Sequence, residues 1–149
     1  GMGQGHGARS ALYALCDGGE TGARAAAGRA LSMAGISHQD IDICQLYDAF
    51  SFSGLYGLED FGFCAPGTAP AFVGAGETSP GGRLPVNTGG GHLSGYYLQG
   101  ATPLLEAVIQ ARGDAGKRQV DRHDLLFVSN SGGCLEYHAT LVVSPREVL

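Results

Sequence analysis

Apolar positions recur along the chain at two spacings, one helical and one alternating, and together they predict a domain of the α/β class. Small apolar residues at helical spacing in 21–34 predict a helix that can approach a neighbouring element closely, ended by Gly35 in the left-handed conformation. Two further helices are predicted at 49–61 and 102–112. Alternating or wholly apolar runs predict short strands at 41–46, 84–87, 125–128 and 137–143.

The order of these elements predicts how the strands pair. Helices between strands require crossover connections and therefore parallel pairing, whereas the last two strands are joined by a short turn and should pair antiparallel. We expect residues 1–149 to form one layered α/β domain with a mixed, mostly parallel sheet flanked by helices. The glycine-rich start, 1–20, should be irregular, and 62–82 should be a long surface excursion with short strand pieces at best.

Composition excludes several classes of function. The net charge of −5 opposes binding to nucleic acid or to an anionic membrane surface. No apolar run is long enough for a transmembrane helix, and the first residues lack the pattern of a signal peptide. The four cysteines are widely spread with no metal-ligand spacing, so we expect a cytoplasmic protein whose cysteines are mostly small buried apolar residues.

Familiar catalytic and nucleotide motifs are missing from the sequence. There is no glycine-rich phosphate loop and no G-x-S-x-G elbow, so Ser131 is interpreted as a turn residue. His92 and His138 stand alone in their segments, and no metal site is expected. Adjacent Tyr96 and Tyr97 are harder to interpret, because they could pack or could donate protons at neutral pH.

Polar groups beside glycine follow several predicted strand ends, where sheets of this class place their sites. One group is Tyr47 with Asp48, whose carboxylate is expected to cap the helix 49–61. A second is the glycine-rich loop 87–100, and a third is 130–133. Such a loop is costly to order, so we expect its glycines to admit close approach of a ligand oxygen and of the second glycine turn.

Three of these segments resemble motifs of the thiolase superfamily. Asn87, Gly90, Gly91 and Gly100 match the signature N-x-x-G-G-x-x-x-x-G-H-P-x-G at the same spacing. The box Tyr-Asp-Ala-Phe at 47–50 and the turn Asn-Ser-Gly-Gly at 130–133 resemble two others. The chain is most similar to the branch of sterol-carrier-protein-type thiolases and lipid-transfer proteins, to which Gly-Gln-Gly-His near the start also corresponds.

The resemblance implies the C-terminal half of a two-half, usually dimeric enzyme. The family's acyl-accepting cysteine and much of its coenzyme A site belong to the other half, so the isolated chain is not expected to be active. The signature histidine falls on Tyr97, the following proline is Leu98, and the turn 130–133 lacks the usual acid/base cysteine. A tyrosine at that place is similar to the steroid-degrading lipid-transfer-type aldolases, which cleave β-hydroxyacyl-CoA by a retro-aldol step.

By that resemblance, Tyr97 would transfer the proton and Tyr47 would support it or act as an alternate. The residues expected to shape or line the substrate and oxyanion site are Asn87, Gly90, Gly91, His92, Asn130, Ser131, Gly132 and Gly133. The substrate would be a coenzyme A thioester of a steroid or lipid side chain, with no covalent cofactor. A homodimer and a small OB-fold partner protein are further expectations.

Two alternatives remain open from the sequence. The chain could be half of a thiolase-type acyltransferase that needs an N-terminal cysteine domain. It could instead be a non-catalytic interaction fragment, in which small residues such as Ala23, Ala27 and Ala30 are buried against a partner.

Overall fold

A mixed four-stranded sheet forms the centre of the computed structural model, which describes residues 1–7, 21–133 and 135–146. The strands are β1 (Met2–His6), β2 (Ile43–Gln45), β3 (Leu126–Gly132) and β4 (Tyr137–Val143), in the order β1-β4-β3-β2. β2 and β3 are parallel, and the other two pairs are antiparallel. The mixed sheet is confirmed. The expectation that it is mostly parallel is wrong for the strands described, because β1 adds a second antiparallel pair.

The three helices predicted from the spacing of apolar residues are present, and a fourth helix adds to them. They are α1 (Ala23–Ala34), α2 (Ser51–Asp60), α3 (Ala69–Gly74) and α4 (Ala101–Ala111). Gly35 ends α1 with φ 68°, as predicted. Among the residues described, no helix combines the length and the apolar character needed to span a membrane.

Two apolar cores lie on opposite faces of the sheet, because successive side chains of a strand point to opposite sides. Cys44 and Phe127 pack with residues of α1 and α2 on one face. Ile43, Leu126 and Val128 pack against α4 on the other. The helix–sheet–helix layering predicted from the sequence is therefore confirmed.

The glycines at the start of the chain form a strand rather than an irregular segment. β1 lies against α1 so closely that a Cβ on Gly3 would be 2.1 Å from the carbonyl oxygen of Ala26, and one on Gly5 would be 1.7 Å from that of Gly22. The small residues of α1 are thus covered within the chain, because Ala26 and Ala30 face β1 while Ala23 and Ala27 pack in the apolar core. The rest of the start predicted to be irregular, 8–20, lies outside the described residues.

The stretch 62–82 is also more regular than expected. Its apolar island belongs to α3, with Pro70 in the first turn, where a missing backbone N–H costs nothing. Phe72 packs against the first core. Cys44 is fully buried, which raises the pKa of its thiol well above the usual value, and Cys64 is partly buried; Cys16 and Cys134 lie outside the described residues.

Candidate active site

Tyr47 and Tyr97, fifty positions apart in sequence, meet at the carboxyl end of β2. Their hydroxyl oxygens lie 2.7 Å apart. Burial, and then the hydrogen bond and proximity of Tyr97, raise the pKa of Tyr47 to about 12. Tyr47 therefore keeps its proton at neutral pH and can donate it in a hydrogen bond to the oxygen of Tyr97. Tyr97 is 55% exposed.

His92 lies beneath this pair with its side chain only 2% exposed. Its ring centroid is 4.6 Å from that of Tyr47 and 5.0 Å from that of Tyr97. Nδ1 lies 2.9 Å from Oδ1 of Asp48, and Nε2 lies 2.8 Å from the carbonyl oxygen of Gln99. The backbone N–H of His92 also donates to Asp48 Oδ1, at 2.8 Å.

Asp48 does not cap a helix, and that prediction is wrong. α2 begins three residues later, at Ser51, where the side-chain hydroxyl of Ser53 accepts from the backbone N–H of Phe50. The carboxylate of Asp48 instead forms hydrogen bonds with His92, which lies 44 positions later in the sequence. Local sequence favoured the cap, but the glycine loop offers two donors to the same oxygen.

Gly91 shows why the loop is rich in glycine. Its φ is 58°, in the left-handed region, and a Cβ there would lie 2.2 Å from Oδ2 of Asp48. A Cβ on Gly100 would likewise lie 3.0 Å from Oδ1 of Asn130. These two glycines admit polar side chains of the same chain. A single π-helical turn, Gly91–Gly95, follows, of a kind often found at functional sites.

Asn87 and Gly90 attach the loop to the end of β2. The side-chain oxygen of Asn87 accepts from the backbone N–H of Leu46 at 2.7 Å, next to Tyr47. The N–H of Asn87 donates to the carbonyl of Cys44, and the N–H of Gly90 donates to the carbonyl of Asn87. These bonds determine where Tyr47 leaves the sheet relative to the loop.

A buried polar network supports the loop from below, and sequence reasoning missed it. Glu106 of α4 accepts from Thr88 at 2.8 Å, from Gln110, and from two nitrogens of Arg118. Burial alone would raise the pKa of Glu106, but hydrogen bonds from Arg118, Gln110 and Thr88 hold it below its usual value. The one signal in the sequence is the spacing of Glu106 and Gln110, four residues apart and therefore on one side of the helix.

The predicted turn 130–133 is mostly strand, because Asn130, Ser131 and Gly132 pair with β4. The side-chain oxygen of Asn130 is buried without a hydrogen-bond partner. Ser131 lines a small cavity together with Tyr47 and His138, with about 10 Å³ of room for a water-sized molecule. Gly133, with φ 63°, begins the turn to β4.

The structure thus brings Tyr47, Tyr97, His92 and Gly91 into one cluster. Asn87 and Gly90 anchor its loop, Asn130 faces that loop, and Ser131 lies behind Tyr47. No group of three or more histidine, cysteine or acidic side chains placed to hold a metal ion occurs in 1–7, 21–133 or 135–146.

Comparison with known protein families shows to which family this chain belongs. The family described as thiolase C-terminal domain-like matches residues 5–145. The chain belongs to that family. Both the glycine loop and the strand end that carries Tyr47 fall inside the match.

Individual relatives of the family carry acyl-CoA and aldolase names. The chain is 38% identical over 111 residues to an acetyl-CoA acetyltransferase of Methanothermobacter thermautotrophicus, over 72% of this chain and 29% of that protein. It is 41% identical over 101 residues to a 17-hydroxy-3-oxo-4-pregnene-20-carboxyl-CoA lyase of Mycobacterium tuberculosis, over 68% of this chain and 26% of the other.

A solved structure extends the similarity to the whole fold. The structure of an Ltp2-ChsH2(DUF35) aldolase superposes with a TM-score of 0.86 and 29% sequence identity, over 99% of this chain and 39% of the other. The chain therefore spans between 26% and 39% of the length of these three proteins.

Proposed function

We propose that this chain forms the tyrosine-bearing half of an enzyme that cleaves a β-hydroxyacyl-CoA thioester by a retro-aldol reaction. The observation that carries the proposal is the hydrogen bond between Tyr47 and Tyr97, with Tyr97 at the place of the thiolase signature histidine. A paired phenol can accept a hydroxyl proton if its anion is stabilised, whereas a thiolase cycle needs a reactive thiolate.

The proposed step starts from the phenolate form of Tyr97, which the Tyr47 hydroxyl stabilises by donating a hydrogen bond. Tyr97 removes the proton from the β-hydroxyl group of the substrate. The Cα–Cβ bond then breaks, the former hydroxyl carbon leaves as a carbonyl compound, and the electron pair passes to the thioester as an enolate. Return of that proton from Tyr97 to the α-carbon of the enolate completes the acyl-CoA product and regenerates the phenolate, so no oxidant or further reactant is needed.

The substrate class rests on the relatives. Acyl-CoA names on both sequence relatives support a coenzyme A thioester. The pregnene carboxyl-CoA lyase supports a steroid or lipid side chain as the acyl group. Gly90, Gly91 and the strand end at 130–133 remain the segments we assign to the substrate carbonyl.

Assembly is part of the proposal. The similar aldolase, Ltp2-ChsH2(DUF35), is named for two components, which supports a partner of the DUF35 type, and we retain a small OB-fold protein as that partner. α4 exposes Leu104, Leu105 and Val108 while it buries Glu106 and Gln110. This exposed apolar face supports contact with the remaining enzyme half, and we keep the homodimer as the expected state.

The test is a product assay on the complete protein that contains this chain, with its partner. Incubated with a β-hydroxyacyl-CoA and no free coenzyme A, it should release a carbonyl compound and a shortened acyl-CoA in equal amounts. Release that depends strictly on added coenzyme A would contradict the retro-aldol proposal.

A second candidate is thiolase-type acyl transfer, which the similarity to the acetyl-CoA acetyltransferase favours. The family resemblance places its nucleophile on the other half of the enzyme, and burial makes Cys44 of this chain a poor thiolate. Mass spectrometry after reaction with acyl-CoA would then find an acyl group on a cysteine outside this chain. Failure of both assays would leave the non-catalytic interaction fragment as the better account.

A further inference from the structure

We propose that His92 is a positioning residue, an imidazolium that holds Tyr47 and Tyr97 together and stabilises negative charge on their shared hydrogen bond. This inference rests on the proposed function but concerns a different group. The sequence placed His92 among the residues lining the substrate site, whereas its ring is enclosed and both nitrogens have partners.

The hydrogen-bond partners of His92 fix where its protons are. The carbonyl oxygen of Gln99 can only accept, so Nε2 of His92 must carry a proton. The carboxylate oxygen of Asp48 can also only accept, so one proton must lie between Oδ1 and Nδ1. Since Oδ1 of Asp48 already accepts the backbone N–H of His92, the ionic form, with both ring nitrogens protonated, satisfies every contact.

The imidazole ring packs against both tyrosine rings. Its centroid lies 4.6 Å from the ring of Tyr47, and it meets the ring of Tyr97 edge-on at 5.0 Å. With only 2% of the side chain exposed, water screens the charge little. A cation beside a developing phenolate lowers its energy, and an imidazolium paired with Asp48 supplies that charge without a net charge on the pair.

His92 also joins the segment after β2 to the C-terminal end of the glycine loop. Asp48 follows β2, and Gln99 lies just before α4 with φ 47°, a left-handed conformation that non-glycine residues adopt rarely. The contact of Nε2 with the Gln99 carbonyl stabilises this turn, two residues after Tyr97. Loss of the imidazole should therefore displace Tyr97 relative to Tyr47.

The test combines kinetics and NMR on the complete protein and its partner. His92→Phe keeps a ring between the tyrosines but removes the charge and both donors, and Asp48→Asn keeps the size of the side chain but removes its charge. Each should lower kcat by about 10- to 100-fold with KM changed less than about threefold. Leu93→Ala, a neighbouring exposed position, is the control and should keep kcat.

The spectroscopic readout does not depend on activity. In ¹⁵N-histidine-labelled protein, the two ring nitrogens of His92, assigned by their loss in His92→Phe, should both resonate as protonated at pH 7. A spectrum with one unprotonated nitrogen, or full turnover by His92→Phe, would overturn the proposal. A wild-type protein without retro-aldol turnover would count against the proposed function, and the His92 spectrum would then decide the charge assignment separately.

Discussion

The hydroxyl groups of Tyr47 and Tyr97 are joined by a 2.7 Å hydrogen bond that closes the glycine loop over the end of β2. Tyr47 retains its proton, because burial and then the contact with Tyr97 raise its pKa to about 12. The two phenols are therefore unequal, because Tyr47 holds its proton more firmly than a free tyrosine does and the side chain of Tyr97 is 55% exposed.

We expect the effects of replacing Tyr47 and Tyr97 on kcat to be coupled. Tyr47→Phe and Tyr97→Phe should each lower kcat by about 10²- to 10³-fold, since both interrupt one proton-transfer unit. The double variant should be little worse than the Tyr97→Phe variant, because residues that act together are not additive. Steady-state kinetics of all four proteins measures this. Multiplying effects would show that the tyrosines act independently.

Gly91→Ala should destabilise the protein and reduce turnover. The added Cβ would lie 2.2 Å from the carboxylate of Asp48 at a backbone φ of 58°. Gly116→Ala is the matched control, because Gly116 has φ 59° with open space around it. In both variants, the strain of a side chain in the left-handed conformation should lower the free energy of unfolding by about 1 kcal/mol. Chemical denaturation should show a larger decrease for Gly91→Ala. Equal losses would mean that the Asp48 contact is unimportant.

Glu106→Gln should lower the free energy of unfolding by about 1–3 kcal/mol, because Arg118 and Thr88 lose the charged partner of their partly buried hydrogen bonds. Since the folded-state pKa of Glu106 is depressed, this contribution is present at neutral pH and is lost as the pH falls below the usual value of 4.5. Denaturation of wild type and variant at pH 7 and pH 4 measures the difference.

The control for Glu106 is an exposed ion pair. Arg112 and Asp114 are joined at 3.1 Å with side chains 72% and 61% exposed. Asp114→Asn should change stability by no more than about 0.5 kcal/mol. A similar decrease in the free energy of unfolding for Glu106→Gln and Asp114→Asn would contradict a stabilising role for the network around Glu106.

How much of the fold could be predicted from the sequence depended on whether the relevant contact was local. α1 and its Gly35 end were predicted because spacing and capping are properties of neighbouring residues. β1 was missed because its glycines suit a loop, and only the contact with Gly22 and Ala26 explains them. The family of the chain was recognisable for a different reason, since its motifs keep fixed spacing.

The candidate site shows the same division. The place of Tyr97 in the signature suggests its role, whereas its hydrogen bond with Tyr47 joins segments fifty positions apart and depends on the tertiary fold. Asp48 was assigned to the nearest helix, although its partner His92 lies 44 positions away. His92 stood alone in its segment for the same reason.

We expect the stability of the protein to depend on pH because His138 is buried. Burial lowers its pKa below 6.5, although its bond to the Leu135 carbonyl opposes the shift. Between the two pKa values the unfolded chain binds more protons than the folded protein, so the free energy of unfolding decreases as the pH falls below 6.5. The free energy of unfolding decreases through this one histidine by at most about 1.4 kcal/mol per pH unit.

His138→Gln, whose amide can still donate to the Leu135 carbonyl, should show a weaker decrease. Chemical denaturation of both proteins between pH 7.5 and pH 5.5 compares the two slopes. Identical slopes would show that His138 does not contribute.

The most direct measurement is the rate at which the complete enzyme, with Tyr97→Phe, cleaves a β-hydroxyacyl-CoA. Tyr96→Phe is the control, since it removes the neighbouring phenol and leaves the pair with Tyr47 intact. We predict that Tyr97→Phe loses at least about 10²-fold in kcat while Tyr96→Phe keeps its rate within a factor of about three. Equal rates for wild type and Tyr97→Phe would contradict the assignment of Tyr97 as the proton carrier.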